Sequence, residues 1–290
     1  MTDERDDHVY LSLAEGHDDG DARWAFGTGF EDPLYGVGTT VPDGVDAAQL
    51  SVVCAALGDD ALIAAQRLAE WCTRAPELEE EVALANIGLD LLGQARMLYA
   101  RAGQTDGTGR GEDDYAYQRG PEDFRNILLA ELPNGDFAFC VARLLVLSCW
   151  RLALFSRLAG AADPVLSAVA AKGVKELTYH RQYAAEWTVR LGDGTEFSAA
   201  RMRAGLEQVL PYLAELFAAS DASGTDGAAV RKEVIASLRQ VCEAATLALP
   251  SCDIFSSPPG HGRDGEHTEH LAPLLDELQS VARALPGATW

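Results

Sequence analysis

Between Pro76 and Arg101 the chain reads PELEEEVALANIGLDLLGQARMLYAR, a stretch whose start and stop signals specify one long helix. At 3.6 residues per turn it makes about seven turns. Proline falls in the first turn, Glu77, Glu79, Glu80 and Glu81 crowd the positive end of the helix dipole, and Arg96 and Arg101 lie near the negative end. Val82, Leu84, Ile87, Leu89, Leu91, Leu92 and Leu98 spread apolar surface nearly all round its middle, which predicts a central helix rather than a surface one. Across that surface Asn86, Asp90 and Gln94 recur every four residues on one line. Buried polar groups are costly without partners, so this line must meet hydrogen-bonding groups, water or a ligand inside a bundle.

Helical periodicity continues on both sides. Residues 1–44 are rich in Asp and Gly, with turn pairs such as Asp19-Gly20 and Asp43-Gly44, and predict an acidic, disordered tail. Its short apolar pieces, Trp24 to Phe26 and Pro33 to Tyr35, are too brief to form a core. A helical pattern runs from Val45 to Arg74, with Gln66 and Glu70 one turn apart, until Pro76 stops it and starts the next helix. Ala102 to Gly120 reads as a long loop and Pro121 to Leu132 as a short helix. Further helices are predicted over Asp136 to Leu158, Pro164 to Leu191, Glu196 to Ala218, Ala228 to Leu249 and Glu266 to Leu285. No strand alternation or repeat of 20 to 50 residues is present. The expectation is an all-α fold, a ferritin-like four-helix bundle with additional C-terminal helices, in one domain over residues 45–290.

The net charge of -22, with lysine only at Lys172, Lys175 and Lys232, argues against nucleic acid or an anionic membrane as partner, since both need concentrated cations. No run of about 18 apolar residues lacks charge, and no basic stretch followed by an apolar core opens the chain, so neither a membrane span nor a leader is expected and the location predicted is cytoplasmic. Cys54, Cys72, Cys140, Cys149, Cys242 and Cys252 form no CxxC pair, and several sit in apolar helical runs as small hydrophobes.

A ferritin-like core invites a test for a di-iron carboxylate site, which needs a Glu from each of two helices and Glu-x-x-His from the other two. No histidine in this sequence has a Glu three residues before it. Asp90 is followed three residues on by Gly93, and Glu176 by Tyr179, with His180 one position too late. The stretch between Asp136 and Asp163 holds no carboxylate and carries Arg143 and Arg151 instead. An arginine facing such a cavity repels a dication, so the site is expected to be degenerate, with no metal and no catalytic residue in this chain. Lys172, Glu176 and His180 form a second polar line at spacing four. If it faces Asn86, Asp90 and Gln94, with Gln66 or Glu70 and Arg143 joining, salt bridges and hydrogen bonds replace the metals.

A weaker alternative lies at 266–270, where EHTEH places Glu266, His267 and His270 within one turn, a spacing compatible with zinc. It is not HExxH, and helix capping accounts for it equally well. No Gly-rich phosphate loop or GxSxG elbow is present.

Four stretches, LGDDALIAAQRLAEWCTRAPELEEEVALANIGLDLLGQAR, LPNGDFAFCVARLLVLSCWRLALFSRL, AKGVKELTYHRQYAAEWTVRLGDG and EHTEHLAPLLDELQSVARALPGATW, together resemble the structural, C-type subunits of bacterial phenylacetyl-CoA epoxidases, also called ring 1,2-phenylacetyl-CoA monooxygenases. The resemblance covers about Gln49 to Trp290 and leaves the tail outside it. It implies a ferritin-like scaffold that pairs with a homologous catalytic di-iron subunit and assembles further, with a small accessory subunit. A reductase carrying FAD and a 2Fe-2S cluster would supply electrons from NADPH, and the complex would epoxidise phenylacetyl-CoA during aerobic phenylacetate breakdown. Two other readings remain open: an enzyme or stand-alone metal-binding protein using the 266–270 cluster or Glu70, Asp90, Glu176 and His180, and an acyl-CoA binder in which Arg181, Arg201 and Arg203 meet the anionic ligand.

Overall fold

Aspartates cap the helices that build the core. Asp46 accepts from the Ala48 and Gln49 N–H groups and opens α1 (Ala47–Ala69), Asp136 caps α5 (Phe137–Leu158), and Asp163 caps α6 (Pro164–Gly192). Between them lie α2 (Leu78–Thr105), the short α3 (Glu112–Tyr117) and α4 (Leu128–Glu131). After them come α7 (Glu196–Val209), α8 (Leu213–Ala222), α9 (Gly227–Ala244) and α10 (Leu271–Ala284). The computed structural model describes residues 34, 36–249, 261–286 and 288, and among these every regular element is helical. Most of the predicted tail and Cys252 lie outside the described residues. Residues 1–37 and 38–290 are separate units. In the first, the Val37 N–H closes a turn on the Leu34 carbonyl at 3.0 Å.

Four long helices pack antiparallel. On the α1–α2 seam, Ser51 Oγ donates to the Ala102 carbonyl at 3.0 Å and Tyr99 Oη to Asp59 at 2.7 Å. Along α5–α6 the Phe137 and Trp187 rings meet edge to face at 4.9 Å. The α2–α6 seam runs from Glu80, which accepts from Tyr183 Oη and Trp187 Nε1, to the buried pair Arg101–Asp163. Close approach requires glycine twice: a Cβ on Gly58 would meet the Tyr99 ring at 2.6 Å, and one on Gly173 the Phe155 ring at 2.6 Å. Mean hydropathy over 18-residue windows of α1 and α5 reaches 1.4 and 1.8, enough with their length to cross a membrane, but those windows are 72% and 94% buried against other helices.

Several boundaries differ from the sequence expectation. The central helix starts at Leu78, because Glu77 is its extended N-cap, and runs on to Thr105. It is not buried all round: Leu84, Ile87, Leu91 and Leu98 face the core, while Val82, Leu89 and Leu92 are exposed. Residues 121–132 do not form one helix. A 3-10 turn at Pro121–Asp123 gives way to extended chain, whose N–H groups are taken by carboxylates from other helices: Arg125 by Asp59 at 2.8 Å, Ile127 by Asp60 at 2.8 Å, and Leu128 by Glu215 at 3.0 Å. Those acceptors replace the helical carbonyls that a helix would have supplied. The predicted helix from Glu196 breaks into a 3-10 turn at Leu210–Tyr212, since Pro211 has no N–H to donate. The last helix begins at Leu271, five residues late, because residues 261–270 form a tight loop tied to the core.

Candidate functional site

The interior polar network draws on all four long helices. From α5, Arg151 donates through Nε and Nη2 to Gln94 Oε1 on α2 at 3.3 and 3.1 Å. Gln94 Nε2 donates in turn to Glu176 Oε2 on α6 at 2.9 Å, and Lys172, one turn before, pairs with the other Glu176 oxygen. On the opposite side, Arg151 Nη1 stands 3.7 Å from Asp60 Oδ2 of α1, a charge contact without a hydrogen bond. Asp60 is already gripped by Arg263 at 2.6 and 2.8 Å and by the Ile127 N–H. Arg151, Asp60 and Gln94 are fully buried. Burial pushes the Arg151 guanidinium down to about 10, against the pull of Asp60, which leaves it charged at neutral pH.

One turn away along the same seam, His180 Nε2 and Asp90 Oδ2 are 3.0 Å apart, with His180 buried and Asp90 partly open. The lines Asp90–Gln94 and Lys172–Glu176–His180 therefore meet. Asn86, at the start of the first line, points to solvent, and Tyr179 is half exposed with its ring 6.3 Å from that of His180.

Glu70 and Arg143 do not join this network. They meet through Asn134 at one end of the bundle, where Asn134 Nδ2 donates to Glu70 at 2.9 Å and Arg143 donates to Asn134 Oδ1 and the Leu132 carbonyl. Arg67 completes that cluster, donating to Glu70 at 2.7 Å and to the Glu131 carbonyl at 2.6 Å. Gln66 lies outside both, in a groove between α1 and α2.

The 266–270 cluster is bound up in capping and cross-chain hydrogen bonds. His267 Nδ1 stands 2.5 Å from Glu131 Oε1 and Nε2 2.9 Å from the Phe124 carbonyl, so both ring nitrogens face acceptors. Burial works against the imidazolium, but the Glu131 and Phe124 bonds outweigh it and raise the His267 pKa above the ordinary value. Glu131 also accepts from Thr268 N at 2.8 Å. Glu266 is exposed, and His270 contributes backbone rather than ring contacts, its carbonyl 3.5 Å from Arg67 Nη2. Arg201, a candidate for an anionic ligand, is paired with Asp136 at 2.8 Å on the surface.

No group of three or more His, Cys, Asp or Glu among the described residues is placed to hold a metal ion. The interior donor set does not fit a di-metal centre: its two carboxylates, Asp60 and Glu176, are each held by cationic side chains, and the remaining positions carry an amide and a guanidinium.

Sequence reasoning missed Asp59 and Asp60, which tie together segments from across the chain. Asp59 is bound by Arg119, Tyr99 and the Arg125 N–H; Asp60 by Arg263 and the Ile127 N–H. Their signal is two adjacent acids in the middle of an otherwise apolar helix. Glu131, Glu215 and the Arg101–Asp163 pair leave no such trace.

Residues 39–290 match the family model described as phenylacetic acid catabolic protein. Over 254 residues the chain is 42% identical to a protein from Escherichia coli (strain K12) described as the C-type subunit of 1,2-phenylacetyl-CoA epoxidase. That match covers 83% of this chain and 99% of the other.

Proposed function

Because the chain belongs to the phenylacetic acid catabolic protein family, we propose that it is the non-catalytic, ferritin-like scaffold subunit of a cytoplasmic multicomponent phenylacetyl-CoA 1,2-epoxidase. The observation that carries this reading is the Asp60–Arg151–Gln94–Glu176–Lys172 network, where cations and an amide satisfy the carboxylates that a di-iron centre would need as ligands. A polar interior of this kind sets the register of four helices rather than supplying reactive groups. Oxygen chemistry then belongs to a homologous partner subunit that holds the di-iron centre, fed by a reductase with FAD and a 2Fe-2S cluster that draws on NADPH, with a small accessory subunit in the assembly. This chain contributes a rigid surface on which the partner is held in its active form, and it has no metal of its own.

Reconstitution tests the reading. With reductase and NADPH, the di-iron partner together with this chain should turn over phenylacetyl-CoA, this chain alone should not, and the partner alone should lose most of its activity. Turnover by this chain with the reductase alone would overturn the assignment.

A further inference from the structure

Of the nine large apolar side chains exposed among the described residues, six belong to α2 and α10. Leu78, Val82, Leu89 and Leu92, 72%, 52%, 63% and 38% exposed, form an outward stripe on α2, spaced by four, seven and three residues so that they share one face. Ala85 and Gly93 fill the gaps, and no charge interrupts the stripe from Val82 to Gly93 except at its edge, Asp90, which turns to His180. Beside it runs a groove of about 310 Å³ floored by small side chains of α1 and α2, including Ala65, Ala69 and Gly88. Leu278 of α10 forms its other wall, and Val281 and Leu285, three and seven residues on, carry that helix face to the surface. From Leu78 to Leu92 the stripe is about 21 Å long at 1.5 Å per residue.

We propose that this groove and stripe are the docking surface for an apolar helix of the di-iron partner subunit, a reading that rests on the function proposed above. A straight strip with small residues at its floor suits a helix laid alongside α2, which can approach closely over alanine and glycine. The charge on the strip selects the occupant. Glu77, Glu79 and Glu81 mark one end, and Arg96, the cation at the other, is already paired with Glu112 at 2.7 Å. An acyl-CoA would bring its phosphates to an acidic rim. A second copy of this chain would bring another charge of -22 against the first. The partner that fits has an apolar helix face bordered by Lys or Arg.

Cys72 lines the groove and is the exposed thiol among the described free cysteines, so it reports occupancy without mutation. The test titrates the full chain with the di-iron partner, follows complex formation by light scattering, and follows Cys72 alkylation by maleimide with peptide mass spectrometry. Binding should slow Cys72 labelling at least about tenfold, and Leu89→Lys or Val82→Lys should weaken association by about 100-fold, the loss typical of an interface hot spot. Phe197→Lys, at an exposed site on α7, should bind as the parent does, and unchanged thermal melting of the isolated variants excludes unfolding as the cause. Parent-like binding by Leu89→Lys with Cys72 still freely labelled overturns this surface while the scaffold reading stands. Protection of Cys72 by phenylacetyl-CoA alone, or by raising the concentration of this chain alone, also overturns it in favour of a ligand or a second copy. Absence of any complex with the parent chain overturns the scaffold reading itself.

Discussion

Arg151 is the residue on which the interior network turns. It is fully buried, it holds Gln94 with two hydrogen bonds, and its third nitrogen faces Asp60 at 3.7 Å. Removing one member of a buried charge network leaves its partners desolvated, so Arg151→Ala should cost about 3–5 kcal/mol in denaturant unfolding. Arg151→Met, which refills the volume and leaves Arg263 on Asp60, should cost clearly less. His267 gives a pH signature. Its raised pKa means that its contact with Glu131 stabilises the fold fully below the ordinary imidazole value of about 6.5 and is lost as pH climbs through the raised value. Glu215 acts over the adjoining lower range. Burial pushes its carboxyl up to about 7, so its contribution to stability falls as pH rises from the ordinary carboxylate range towards 7. Melting temperatures measured against pH should therefore decline towards pH 7 through Glu215 and keep declining above it through His267, and His267→Gln should remove the upper part of that decline alone.

The elements show where helical periodicity suffices and where it fails. Helices α5 and α6 have an aspartate cap before an apolar run, and their starts and ends follow from the sequence to within a residue. The 121–132 segment reads as a helix because its residues permit one, but distant carboxylates claim its backbone N–H groups, and nothing local reports a partner 66 to 87 residues away. The same limit applies to α2. Its apolar residues all round imply full burial, whereas the fold buries one face and leaves the other as a stripe. Periodicity counts apolar residues without knowing whether the neighbour belongs to the same chain. Of the two polar lines, the contacts of Asp90, Gln94, Glu176 and His180 follow from spacing four, while Glu70 and Arg143 meet elsewhere because they lie nearer the bundle end. At Gly58 a new Cβ would meet the Tyr99 ring at 2.6 Å. Tyr99 is locked by its bond to Asp59, so Gly58→Ala should separate α1 from α2 locally and lower stability by about 1–3 kcal/mol in equilibrium unfolding.

For the whole molecule, the arrangement gives an all-α unit with its carboxylates satisfied inside and an uncovered apolar face outside. Both suit a chain that works by holding another. The sequence could supply the missing Glu-x-x-His spacing and the family likeness, but not the identity of the groups that took the ligands' place, because Asp60 and Arg263 are brought together from opposite ends of the chain. The most direct test of the central claim is metal content by elemental analysis, on this chain purified alone and again as a complex with its di-iron partner. The account predicts iron and zinc far below one per chain in the isolated protein and stoichiometric iron in the complex. One or more equivalents of iron or zinc bound to the isolated chain would contradict it.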